Sequence, residues 1–123
     1  MKKIVILNEE LGCQMQLYLA LCDAYSVEVA ENVKSAMYLL RKVRPEILLM
    51  DYDLNQFKHN GASGLRFLKK VKRKYESLKI VTILNNKDKH IATEIQENGA
   101  DSILYKPIKN RRLIAHINRL SNN

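Results

Sequence analysis

The stretch Pro45-Glu46-Ile47-Leu48-Leu49-Met50-Asp51 decides the fold. Four large apolar residues in a row, with no polar position between them, fit a strand covered on both faces; a half-exposed strand would alternate. Pro45 closes the helical pattern before it, and Asp51 ends the run with a carboxylate at the strand's C-terminal edge. Strands buried on both faces belong to a parallel sheet clad with helices on each side.

Working outward, Ile4-Val5-Ile6-Leu7 reads as a second such strand. Leu11, Met15, Tyr18, Leu19 and Cys22 follow at helical spacing. Tyr25 to Ala30 alternates as a short strand does, and Val33, Ala36, Met37, Leu40 and Val43 form a helical stripe that Pro45 stops. Beyond Asp51 a polar loop is expected from Tyr52 to about Ser63. A helix with Leu65, Leu68, Val71 and Tyr75 on one face comes next, then a strand from Ile80 to Leu84. Asp88 is read as the N-cap of a helix carrying Ile91, Ala92 and Ile95, with Gly99 at its C′ position. Ser102 to Tyr105 is a short strand, and Leu113, Ile114, Ile117 and Leu120 mark the last helix. Strand then helix, five times over, predicts an α/β, doubly wound three-layer sandwich with a five-stranded parallel sheet and five helices.

The chain has 123 residues, enough for one compact domain spanning residues 1–123. Hydrophobic residues make up 46%, and only 2 Pro and 4 Gly are present, which argues against disorder. No apolar run approaches the ~20 residues of a membrane span. The start, MKKIVILNEE, is too short in its apolar part and too soon acidic for a signal peptide, so no membrane partner and a cytoplasmic location are expected. Cys13 and Cys22 share one predicted helix without a zinc-like spacing and are read as reduced residues at or near the core. The net charge is +8. Basic residues concentrate in Lys69, Lys70, Lys72, Arg73 and Lys74, and again in Lys106, Lys109, Arg111, Arg112 and Arg119. Such runs ordinarily face solvent. With no aromatic among them beyond Tyr75, nucleic acid is not expected as a partner.

In doubly wound folds ligands bind outside the carboxyl ends of the strands. Those ends carry Asn8-Glu9-Glu10, Asp51 with Asp53, Asn85-Asn86, and Lys106-Pro107. Clustered carboxylates repel unless a cation compensates, and a hard cation such as Mg²⁺ suits oxygen ligands. With a cation and a lysine present, a carboxylate can act as nucleophile on a phosphoryl group. Flavin or nucleotide-phosphate binding would need a loop of backbone N–H donors after the first strand; the two glutamates there would repel an anion.

Pro45-Glu46-Ile47-Leu48-Leu49-Met50-Asp51, Gly99-Ala100-Asp101 and Lys106-Pro107, in this order on these elements, resemble the receiver domain of bacterial response regulators. The resemblance covers essentially the whole chain. It implies a flavodoxin-like sheet of order 2-1-3-4-5 and a signalling role rather than enzymatic turnover. It makes Asp51 the phosphoacceptor, phosphorylated from a histidine kinase or phosphotransfer protein, and makes Lys106 and Asn85 phosphoryl-binding. The expected metal site for Mg²⁺ comprises Glu9, Asp51 and Asp53, the last through its backbone carbonyl. The chain departs from the family at several positions. Asn8 stands in the acidic pocket and should weaken Mg²⁺ binding. Asn85 replaces the usual hydroxyl, and Ile103 occupies the aromatic switch position. Tyr105 is expected on the opposite strand face from both Ile103 and Lys106. Asn55 replaces a proline, and Gln56-Phe57-Lys58-His59-Asn60 is extra loop material, read as an idle insertion with His59 and His90 in solvent. Two readings stay open: a working receiver with shifted kinetics, and a pseudo-receiver that binds its partner without phosphate; a third, less favoured by the residues, is a basic nucleic-acid-binding module using the two basic helices. The resemblance also places the partner face on the fourth helix, fifth strand and fifth helix. Lys89, His90, Lys109, Arg111 and Arg112 there predict an acidic effector protein, with a homodimer through the last helix also open.

Overall fold

A computed structural model describes residues 1–58 and 63–122 of the chain. Five parallel strands form one sheet: β1 (Lys3–Leu7), β2 (Ser26–Ala30), β3 (Ile47–Asp51), β4 (Lys79–Leu84) and β5 (Ser102–Tyr105), in the order β2-β1-β3-β4-β5. The helices are α1 (Leu11–Leu21), α2 (Val33–Val43), α3 (Asn55–Lys58), α4 (Ser63–Lys74), α5 (Ala92–Glu97) and α6 (Asn110–Ser121). The predicted doubly wound sandwich and its strand order are therefore present, with one helix more than expected.

The central run is buried at every position from Ile47 to Asp51, as a strand covered on both faces requires. Its side chains divide by parity. Leu48 and Met50 join Val5, Leu40, Phe67, Leu68 and Ile95 in the layer under α2, α4 and α5. Ile47 and Leu49 join Ile4, Leu17, Leu21, Leu113 and Ile117 in the layer under α1 and α6. The sequence motifs carry structural work. Gly99 sits at φ 131°, and a Cβ there would lie 3.1 Å from the Leu68 carbonyl oxygen. The Asp101 carboxylate accepts from the Ile80 N–H and from Lys72 Nζ, tying β4 to α4.

Three expectations are corrected. The apolar stripe of α1 faces outward: Leu11, Met15, Tyr18 and Leu19 are exposed, while Leu17 and Leu21 fill the core. The helix is apolar nearly all round, so spacing alone could not choose the buried face. Asp88 does not cap a helix; Asn85 accepts from the Lys87 N–H and opens a 3₁₀ segment, Asn86–Ile91, that leads into α5. The loop after Asp51 contains the single turn α3, whose Phe57 stacks on Tyr52 and Phe67 at 6.0 and 5.6 Å and is buried. Of the loop residues discussed above, His59 and Asn60 lie outside the described residues.

On the α6 side, the His116 ring bonds the Ser102 hydroxyl at 2.7 Å. Burial, and then the charge of Arg119, hold its pKa below the ordinary value. The unfolded chain thus binds this proton more readily than the folded one, so stability is lost as pH falls below the ordinary histidine value of 6.5. The melting temperature should fall more steeply from about pH 7 to about pH 5 in the native chain than in His116→Gln. Parallel melting curves would contradict this.

Candidate functional site

Parallel pairing aligns the carboxyl ends of β1, β3 and β5, and the candidate side chains stand there. Leu7 pairs with Met50, Asp51 with Ile83, and Leu84 with Tyr105. Asn8 therefore follows β1 directly beside the end of β3, and Lys106 leaves β5 one strand beyond β4. Asp51 is 6% exposed and Asn8 fully buried. A buried carboxylate must be compensated or it destabilises the fold. Here Asp51 Oδ1 accepts from the Asp53 N–H at 2.9 Å. Its Oδ2 accepts from Asn8 Nδ2 and from Lys106 Nζ, each at 3.2 Å. Lys106 also lies 3.6 Å from the Asp53 carboxylate. Partial burial alone would lower the Lys106 pKa, but Asp51, and then Asp53, outweigh it and hold the ammonium above its ordinary value.

Asn8 is oriented by the chain after it. Its Oδ1 accepts from the Glu10 N–H at 2.9 Å, so its amide nitrogen turns toward Asp51 and toward Cys13 Sγ at 3.2 Å. Where an acid would offer an anionic oxygen, Asn8 offers an N–H donor. Glu10 caps α1, accepting from the Gly12 and Cys13 N–H groups. Glu9 reaches across to the loop after β3, where its Oε1 accepts from the Asn55 N–H at 2.8 Å.

Of the residues expected at the site, Asp51, Lys106, Asn8 and Asp53 come together. Glu9 lies alongside, bonded to Asn55. Asn85 bonds within its own turn, to the Lys87 N–H. Ile103 is half-buried on the α5 side of the sheet, in register with the buried Thr82. Tyr105 packs in that same layer. This corrects the expectation that Tyr105 and Ile103 point oppositely: positions two apart on a strand share a face. A hard cation needs oxygen lone pairs. Asp51 and Asp53 supply them, but Asn8 presents a donor and Glu9 is engaged elsewhere. Among the described residues no group of three His, Cys, Asp or Glu side chains is poised to hold a metal. The donor set thus fits Mg²⁺ only in part.

Two neighbours of the site escaped sequence reading. Cys13, in the first turn of α1, touches Asn8; its thiol pKa is raised by burial and then by Asp51. The signal was its place just after a strand that ends at the site. Thr82, a hydroxyl within the apolar run of β4, is fully buried, and its Oγ1 has no hydrogen-bond partner among the described residues.

Comparison with known proteins bears on the fold and the family. The model of the response regulator receiver domain matches residues 5–118. The transcriptional regulatory protein YdfI of Bacillus subtilis is 30% identical over 116 residues, covering 92% of this chain and 52% of that protein. The phosphate regulon transcriptional regulatory protein PhoB of Pseudomonas aeruginosa is 29% identical over 119 residues, covering 94% of this chain and 50% of its own length. The chain thus spans about half the length of these curated relatives. The receiver domain of NtrX from Brucella abortus superimposes with a TM-score of 0.87 at 22% identity, over 98% of each chain, which shows the shared fold. Receiver domains generally bind Mg²⁺ at their acidic pocket and interact with histidine kinases or phosphotransfer proteins. The family match runs from β1 into α6, and on that ground the chain belongs to the response regulator receiver domain family, the signalling domains of two-component systems.

Proposed function

We propose that Asp51 accepts a phosphoryl group from a histidine kinase or phosphotransfer protein in the cytoplasm, and that the chain then signals by protein contact. The observation that carries this reading is the Asp51–Lys106 pair at the aligned strand ends. In the transfer, an Asp51 oxygen bonds to phosphorus while the donor's P–N bond breaks, leaving an acyl phosphate and a free imidazole. The Lys106 ammonium, already 3.2 Å from Oδ2, moves onto a phosphoryl oxygen and offsets its charge. Mg²⁺, when bound, would be held by Asp51, Asp53 and a Glu9 released from Asn55; it would add further charge neutralisation. Asn85 would donate from Nδ2, since only its Oδ1 is engaged, accepting from the Lys87 N–H. The acidic effector meets the face of α5, β5 and α6, where Lys89, His90, Lys109, Arg111 and Arg112 are exposed.

A second reading has its own support. The Asn8 amide and Lys106 already satisfy Asp51 Oδ2, and Glu9 is committed to the loop. A pseudo-receiver needs nothing more than this resting arrangement to present its partner face.

Intact mass after treatment with a small phosphodonor and Mg²⁺ separates the two readings. The working receiver gains one phosphoryl mass and Asp51→Asn gains none; a native chain that stays unmodified supports the pseudo-receiver instead. Asn8→Asp replaces the N–H donor with an anionic oxygen and should tighten Mg²⁺ binding about tenfold or more in calorimetric titration. An unchanged affinity would remove Asn8 as the cause of the incomplete site. Lys106→Met strands a buried carboxylate and should cost about 1–3 kcal/mol in urea unfolding. In the Asp51→Asn background most of that loss should vanish. Additive losses would show that the two side chains do not act as a pair.

A further inference from the structure

The outer face of α4 is built from one kind of residue. Its exposed positions are Arg66, Lys69, Lys70, Arg73 and Lys74, all cations. They recur at three- and four-residue steps and so form a single row about 12 Å long. None of them pairs with an acid among the described residues; the cation of α4 that does, Lys72, is half-buried against Asp101. Such a row is unfavourable for the helix. Arg66 repels Lys69 and Lys70, Lys69 repels Arg73, and Lys70 repels Arg73 and Lys74. The C-terminal dipole rewards only the last turn and leaves the charges at 66, 69 and 70 uncompensated. A merely solvated face would mix signs at these steps.

The neighbouring helix continues the pattern. Along α2, Lys34, Arg41 and Lys42 are exposed. The chain has 13 acidic residues, yet none lies within α2 or α4; Glu31, Glu46 and Glu76 flank them. Between the two helices the surface is recessed. A cleft of about 260 Å³ runs between Val33 and the Arg66 and Lys70 stems over Phe57 and Phe67. A second, of about 470 Å³, lies at the starting ends of the strands, lined by Arg44 and Lys74, by Glu46 and Glu76, and by Leu120 of α6, and so is not part of this face.

We infer that the α2–α4 face binds the phosphate backbone of duplex nucleic acid, without reading its sequence. Charge complementarity commits the surface to a polyanion, since both helices carry cations and no acids. Protein interfaces are depleted in Lys and are anchored by buried apolar or aromatic groups. The exposed row of α4 has no such anchor, because Phe67, Leu68 and Val71 are turned into the core. Membrane docking would use an apolar side to enter the bilayer, and here that side is already buried. A phosphate ridge needs only cations, and a convex rod fits a recess better than a plane does. The expectation that nucleic acid is not a partner rested on the basic runs of α4 and α6. In the fold those two helices lie on opposite faces of the sheet, and the basic α2 shares the face of α4.

Fluorescence anisotropy with a labelled DNA duplex two helical turns long tests this. Binding should appear at low salt and weaken on the order of 100-fold between about 50 and about 200 mM salt, as release of four or five counterions requires. Lys69→Glu/Lys70→Glu/Arg73→Glu should weaken binding at least about tenfold more than Lys109→Glu/Arg111→Glu/Arg112→Glu, which removes equal charge from α6. The α4 variant relieves like-charge repulsion and should keep the native circular dichroism spectrum and urea midpoint. Absence of duplex binding at low salt, equal losses in the two variants, or tighter binding to vesicles containing phosphatidylserine than to the duplex would each overturn the inference.

Discussion

A carboxylate sits almost out of water at the end of the central strand, and the architecture around it meets the cost of keeping it there. Asp51 is covered because β3 is flanked by strands and roofed by helices on both sides. Its charge is tolerable because β5 ends two strands away with Lys106, and because the loop after it turns the Asp53 N–H back onto Oδ1. Without the parallel register, Lys106 would not arrive. Sheet, helices and site thus express one constraint: an ion can be held at that depth only if several chain segments converge on it.

The convergence includes a change of chemistry at one corner. Asn8 is as buried as any core residue, and its amide is held by a backbone N–H. The pocket therefore balances its charge with a lysine and a neutral donor. That lowers the demand for an external cation at rest, and it leaves a smaller electrostatic difference between the resting and occupied pocket.

Much of this was legible beforehand because the signals were local and strong. Ile47 to Met50 and Ile4 to Leu7 can satisfy their apolar surface only as buried parallel strands, and Pro45, Gly99 and Lys106 fall where chain direction must change. α1 was legible as a helix but not in its orientation, since Leu11, Met15 and Leu19 are as apolar as Leu17 and Leu21. The 3₁₀ segment was missed because Asp88 and Asn85 are both good capping residues, and only the backbone decides between them. Asp51, Asp53 and Lys106 could be named from strand ends. The Glu9–Asn55 bond could not, because it joins segments far apart in sequence through a flexible side chain.

That bond has a consequence of its own. Glu9 Oε1 fastens the start of α3 to the rim of the pocket. Only Oε1 is held there, so a ligand drawn to Glu9 would use its other oxygen or pull the first off Asn55. In the second case the two contacts of Glu9 would be thermodynamically linked, and linkage runs both ways. Whatever draws Glu9 inward loosens the segment beginning at Asn55, and whatever grips that segment from outside alters the pocket's appetite for charge.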